Sequence, residues 1–217
     1  MDIPFIYDRY VTNKDFAGRK SECLALTGLI EAGENVVLYE PPKSGKKSLI
    51  QQAFFVMRLG GKIINAAVLD MFGIRTIEDL LTRFGSTVIR SIASSPDEYG
   101  MIVSRHLSGT HFVFDRQRFA DCDEVVSLNW EPDEEDIRAM FSLPFRLARE
   151  NGARITAVIE EFQSILDIRE YDTVLKSMET VFRENGKDSG CSYIISGSKV
   201  NAMKSIFCHR KYLYRQV

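Results

Sequence analysis

Short, mostly apolar runs alternate along this chain with longer stretches in which apolar residues recur every three or four positions. The runs are Val36–Tyr39, Ile63–Leu69, Ile155–Ile159 and Ser192–Ile195. Predominantly apolar runs of this length predict strands buried on both faces, as in a parallel sheet covered by helices. The helical stretches lie between them: Lys46 to about Leu59, Thr76 to Ile92, Asp133 to Asn151, Glu170 to about Asn185 and Asn201 to Phe207. Thr76 is suited to cap its helix, and Pro132-Asp133-Glu134-Glu135 supplies a proline and an acidic first turn. Gly60-Gly61 and Gly152 end their helices. Strands separated by helices predict βαβ units with right-handed crossovers, hence an α/β fold with four parallel strands.

From Ser94 to Trp130 neither period holds. The segment is rich in Ser, Gly, Asp and Arg, with apolar runs at His111–Phe114 and Val125–Leu128. It reads as an insertion at about 94–130, with Trp130 as its packing anchor.

Composition narrows the class. The 217 residues are 45% hydrophobic and 27% charged, with a formal net charge of -2, which suits one core-forming domain and offers no global basic field for nucleic acid. No window approaches about 18 apolar residues, so no membrane span is expected. Met1–Phe5 lacks the features of a secretory leader, and Cys23, Cys122, Cys191 and Cys208 are too scattered for a zinc or disulfide framework. Reduced thiols in a cytoplasmic protein are the expectation. His106, His111 and His209 have no spacing that suggests a metal site or a triad. Arg116, Arg118 and the Arg210–Tyr214 segment read as solvated surface.

The chemistry concentrates at Glu40-Pro41-Pro42-Lys43-Ser44-Gly45-Lys46-Lys47-Ser48. This segment follows a strand and opens a helix, the context in which backbone N–H groups and a positive helix end converge on one anion. Pro41 and Pro42 have no N–H, so the cradle falls to Ser44, Gly45, Lys46, Lys47 and Ser48. Gly45 allows close backbone approach, and Lys46 can reach outer phosphates. Against the pattern GxxxxGK[ST], two positions depart. Glu40 stands where glycine is expected, and its charge repels polyphosphate unless it points away. Lys47 stands where a Ser or Thr hydroxyl holds Mg²⁺, and it has no oxygen to offer a hard cation. Ser48 lies about 100° further round the helix.

Three further elements accompany the loop. Glu160-Glu161 ends a strand, as a pair in which one carboxylate serves a metal's water shell and the second orients water. Ser196-Gly197-Ser198 ends another strand and offers hydroxyls. Asp15-Phe16-Ala17-Gly18-Arg19-Lys20-Ser21-Glu22 places a turn before a helix, with Arg19 able to approach a base or phosphate, or to pair with Glu22.

Together, Phe16-Ala17-Gly18-Arg19 with Glu22, Asn35–Leu49, Glu160-Glu161-Phe162-Gln163 and Ser196-Gly197-Ser198 resemble the archaeal-type ATPase branch of the STAND class of P-loop NTPases, related to AAA ATPases. The resemblance runs from about Phe16 to the C-terminus. It implies a three-layer P-loop NTPase fold, with the loop at the sheet's centre and an extra strand beside the acidic pair. It also implies ATP or ADP as ligand with Mg²⁺. Lys46 would then contact β/γ-phosphates, Glu160 would hold Mg²⁺, Glu161 would activate water, Ser198 would sense the γ-phosphate, and Arg19 would sit near the adenine or ribose. Departures at Glu40, Lys47 and Glu160 touch loop geometry and the metal, so slow or lost hydrolysis in a nucleotide-controlled switch is expected; the alternative is a non-catalytic interaction scaffold. The family's C-terminal edge strand should begin at Tyr212–Val217, and the helical lid and winged helix that follow it in the family are expected to be absent here. A protein partner or self-association is expected at that edge.

Overall fold

The four apolar runs form one parallel sheet. The structure, a computed structural model, describes residues 9–185, 189–208 and 212–213. In chain order, a 3-10 turn at Asn13–Asp15 precedes α1 (Lys20–Glu31), β1 (Val36–Tyr39), α2 (Lys46–Leu59), β2 (Asn65–Asp70) and α3 (Ile77–Arg90). The insertion holds α4 (Pro96–His106), β3 (Phe112–Val113), α5 (Arg116–Cys122) and β4 (Ser127–Leu128). Then come α6 (Glu134–Asn151), β5 (Ile155–Glu160), a 3-10 turn at Phe162–Asp167, α7 (Tyr171–Asn185), β6 (Cys191–Gly197) and α8 (Val200–Phe207). The sheet order is β1-β6-β5-β2, with every pairing parallel.

Side-chain alternation along the strands builds the layers. Val158 and Ile194 point to one face, where they join Val36 and the apolar sides of α1 and α2: Leu26, Ile30, Leu49, Ile50 and Phe54. Their neighbours Ala157, Ile159, Tyr193 and Ile195 point to the other face, against α3, α6 and α7. All residues of β5 and β6 are buried, as expected for strands covered by helices on both sides. This is a three-layer α/β fold. Under the second face, Tyr193 packs against Phe84, Phe145 and Phe182, with ring centroids 6.1, 5.5 and 4.8 Å away. Its hydroxyl donates to the Phe141 carbonyl at 2.5 Å, so the one polar atom on this ring is satisfied in the core.

The insertion is more regular than its sequence suggests. Ser95 and Glu98 form a reciprocal capping box with Pro96 in the first turn of α4. Asp115 caps α5 through the Gln117 and Arg118 N–H groups. The apolar runs pair as the antiparallel ribbon β3–β4. Trp130 does not anchor the segment: it is 72% exposed. Burial of Tyr99, Val103, Leu107, Phe112, Val125 and Val126 within the main core fastens it instead. Edge contacts among Tyr99, Phe114 and Phe119 add to this. Phe119 occurs in a charged stretch without helical or strand period, which hid its role.

The loop strand is also placed differently from expectation. Among the described residues β1 lies at the edge of the sheet; of Tyr212–Val217, where a further strand is expected to begin, residues 214–217 lie outside the described residues, as does His209. Tyr212 and Leu213 are buried, and the Tyr212 hydroxyl donates to Asp172 Oδ1 at 2.5 Å. No helix among the described residues is long and apolar enough to cross a membrane.

Candidate functional site

A parallel sheet brings the C-terminal ends of its strands to one side, where ligands of open α/β folds bind. Here that side gathers Glu40 after β1, Asp70 at the end of β2, Glu160 and Glu161 at β5, and Ser198 after β6. The register sets Tyr39 beside Gly197 and Asp70 beside Glu160. Residues far apart in sequence thus become neighbours through strand pairing alone.

The loop from Glu40 to Gly45 turns tightly into α2. Gly45 has φ +87°, and Lys43 also takes the left-handed region at φ 63°, a conformation that costs a non-glycine residue roughly 1 kcal/mol. Gly45 caps α2 with no side-chain hydrogen bond, so the first N–H groups of the helix keep the anion-binding capacity of an uncapped N-terminus. Above them is a cavity of about 480 Å³ lined by Lys43, Gly45, Lys46, Lys47, Ser48, Glu161 and Ser198, with Arg9 and Tyr10 from the N-terminal segment. On the other side of Lys46 an apolar groove of about 330 Å³ runs between α1 and β1, lined by Leu26, Leu29, Val37 and Arg19.

Each sequence-predicted residue has a definite partner. The Lys46 ammonium donates to the Glu40 and Pro41 carbonyls at 2.8 and 3.0 Å and to Ser44 Oγ at 3.3 Å. Burial lowers its pKa, against the opposing pull of Glu161 and Glu40. Arg19, itself at φ 50°, forms a fork with Glu40, NH1 to Oε2 at 3.0 Å and NH2 to Oε1 at 2.9 Å. It also donates to the Ser44 carbonyl at 3.0 Å and, through Nε, to Glu22 at 2.6 Å. Burial would lower the pKa of this guanidinium, but its bonds to Glu22 and Glu40 outweigh burial and raise it. The carboxylate at the unusual loop position is therefore turned to Arg19. Ser48 Oγ accepts from the Val11 N–H at 3.1 Å, so the N-terminal segment closes over the first turn of α2. No motif in residues 9–13 announces that contact.

Lys47 and Glu160 meet directly: Nζ lies 2.8 Å from Oε2. That bond raises the lysine pKa against the effect of burial, with Glu160 and Asp70 adding charge attraction. The sequence places Glu160 at a metal position, and here its carboxylate serves an ammonium. A divalent cation shared between loop and strand end needs oxygen donors. Position 47 provides a cation instead, the Ser48 hydroxyl is engaged by Val11, and the Glu160 oxygen is bonded to Lys47. These residues do not fit Mg²⁺.

Glu161 sits at φ 52°, a left-handed backbone that turns its side chain back over the strand end. Its Oε2 accepts from Ser198 Oγ at 2.5 Å and Gln163 Nε2 at 2.6 Å. Gln163 Oε1 in turn accepts from the Ser198 N–H at 3.1 Å. Gln163 is buried, and a Cβ at Gly197 would collide with Met203 Sδ and come within 2.6 Å of Gln163 Oε1. Glu161, Gln163 and Ser198 are thus one unit, and Gly197 leaves the room for it.

The remaining candidates stand away from the loop. His111 has partners that its spacing hides: Nδ1 lies 2.7 Å from Asp136 Oδ2, and its N–H donates to Oδ1 at 2.8 Å. Asp136 and Asp133 also form the capping box of α6. His106 Nε2 is 3.0 Å from Glu150. Arg116 pairs with Asp97, and Arg118 with Glu124. All four cysteines are free thiols.

No protein-family model matches the chain, and no curated protein matches it. Solved structures do. The chain is similar over 99% of its length to 55% of a Walker-type ATPase of Pyrococcus abyssi, with a TM-score of 0.61 and 17% identity. Over 91% of its length it is similar to 46% of the Aeropyrum pernix ORC2 protein in its ADPNP–ADP complexes, with a TM-score of 0.53 and 14% identity. Cdc6p from Pyrobaculum aerophilum is similar over 91% of this chain and 43% of its own, with a TM-score of 0.52 and 11% identity. The chain spans about half the length of these structures. At these identities the likeness establishes the fold, the three-layer α/β architecture of P-loop ATPases.

Proposed function

We propose that this chain binds ATP or ADP through the Lys46 loop. The observation that carries this reading is convergence: Gly45 and Lys46 on the loop, Glu161 after β5 and Ser198 after β6 line one cavity over an uncapped helix N-terminus. Backbone N–H groups of α2 and the Lys46 ammonium take the phosphates, with Lys46 exchanging its loop oxygens for phosphate oxygens. The apolar groove beside Arg19 suits the flat face of a base, which supports a role for Arg19 at the base or ribose end. That two structural neighbours were solved with adenine nucleotides or bear the Walker-type ATPase name supports the choice of ligand.

Hydrolysis is a secondary activity in this reading. Glu161 is the group able to take a proton from water, with Ser198 and Gln163 orienting it and Ser198 placed to meet a terminal phosphate. Turnover is slow, because the residues at positions 47 and 160 do not supply a metal site. The nucleotide then acts as a switch ligand, with a protein partner or a second copy taken at the C-terminal edge. The scaffold alternative draws on one observation: Lys47 and Glu160 satisfy each other without any ligand.

Thermal unfolding with ATP and with ADP tests the reading. A ligand at about 100 times its Kd stabilises by about 2.7 kcal/mol, roughly 5–10 °C for a domain of this size. The shift is expected in the wild type and absent in Lys46→Ala. No shift at millimolar nucleotide would favour the scaffold.

A further inference from the structure

We propose that the Lys47 ammonium is the resident cation of this phosphate site, so that the chain binds nucleoside di- and triphosphates without a divalent metal. The inference rests on the nucleotide-binding reading and deepens it.

Two departures that look like separate defects in sequence are one complementary pair in space. A loop hydroxyl is replaced by a lysine, and the strand-end carboxylate is a glutamate. Their side chains meet at 2.8 Å, closing with a direct bond the gap that a short hydroxyl and a short carboxylate would leave. The Glu160 side chain is 9% exposed, while that of Lys47 is 54% exposed. The carboxylate is therefore a buried anchor, and the ammonium keeps a face toward the cavity it lines. An ammonium has three donors; one is spent on Glu160, and two remain for phosphate oxygens.

Other residues at the site agree. Arg9, Lys43 and Lys46 line the same cavity, so polyphosphate charge is met by side chains without an ion. Glu40 and its carboxylate are withdrawn from the loop by Arg19. Asp70, beside Glu160 in the register, adds to the field that holds Lys47 charged. A divalent cation entering here would have to displace Lys47 from Glu160 and would meet its positive charge at close range.

Calorimetric titration of the full chain with ATP and with ADP, in EDTA and in excess Mg²⁺, tests this. Wild-type Kd values in the two media are expected to agree within about threefold, less than 1 kcal/mol. The double variant Lys47→Thr/Glu160→Asp, which restores a hydroxyl and a short carboxylate, is expected to lose at least about tenfold in EDTA and to recover with Mg²⁺. Lys47→Met, which keeps length and removes charge, is expected to weaken binding in both media. Wild-type binding that requires Mg²⁺ would overturn the inference and leave the nucleotide reading standing. Absence of binding in both media would overturn both. The wild-type comparison needs no variant, so poor folding of the double variant leaves the test intact.

Discussion

The guanidinium of Arg19 grips the carboxylate of Glu40 with two parallel bonds of 2.9 and 3.0 Å. This contact joins the turn before α1 to the first residue of the phosphate loop, and it converts a repulsive side chain into a brace. The same guanidinium holds the Ser44 carbonyl, so it ties both ends of the loop. The Arg19 and Glu40 side chains are 22% and 38% exposed, and solvent screening limits the pair to about 0.5–1 kcal/mol. A double-mutant cycle with Arg19→Ala and Glu40→Ala, read by chemical denaturation, should return a coupling of that size. In nucleotide titration, Arg19→Ala should bind more weakly than Arg19→Ala/Glu40→Gly, because only the single variant leaves an unpaired carboxylate near phosphate. Equal affinities would show that charge repulsion is not what Arg19 prevents.

The Glu161–Gln163–Ser198 unit leads to a second prediction. Glu161→Gln should reduce single-turnover ATP hydrolysis by about 10²-fold or more while changing nucleotide Kd little. Gln163→Ala should act in the same direction and less strongly, since Ser198 still holds the carboxylate. Gly197→Ala should lower turnover and stability together, because the added methyl meets Met203 Sδ as well as Gln163 Oε1. Should Gln163→Ala leave turnover at the wild-type level, Gln163 does not position Glu161.

The two described histidines should titrate on opposite sides of the ordinary value. Burial lowers the pKa of His106, against the attraction of Glu150, with Arg146 and Arg105 adding to the depression. Its contribution to stability is therefore present above about pH 6.5 and is lost as pH falls. The bond from Asp136 raises the pKa of His111. Its contribution is full below that range and is lost as pH rises through its folded value. Histidine C2-proton shifts across a pH series measure both directly, and His106→Gln should flatten the decline on the acid side. Coincident midpoints would contradict the pairings.

Core packing sets the scale for stability. Phe84 is 1% exposed and stacks on Phe141 and Tyr193 at 5.2 and 6.1 Å. Phe84→Ala should cost about 3–5 kcal/mol. Tyr193→Phe removes only the bond to the Phe141 carbonyl, and should cost about 1–2 kcal/mol. Trp130→Ala, at an exposed position, should fall within about 0.5 kcal/mol of the wild type. Urea denaturation of the three variants gives the ranking, and a Trp130 effect as large as that of Phe84 would contradict its placement.

Much of this was legible in one dimension. Four apolar runs and the 3.6-residue period between them predict the parallel strands and most of the helices, because burial on two faces and on one face leave different periods. The helix α2 follows from its loop. The insertion was harder to read, since α4 and α5 are short, are defined by caps more than by period, and bury residues such as Tyr99 and Phe119 scattered among charges. The capping box of Ser95 and Glu98 was present in the sequence and would have located α4.

Sequence alone determined which chemical groups the chain possesses and the order of its elements, because strand and helix periods are local properties. It also showed that positions 40, 47 and 160 depart from a phosphate-loop pattern. What those departures mean was decided only by the tertiary structure. Strand pairing brings Lys47 to Glu160 across 113 residues, a turn 21 residues away supplies Arg19 to Glu40, and the sheet order sets Ser198 against Glu161. A charge's effect depends on the distance and dielectric separating it from its partner, and neither quantity is written along the chain.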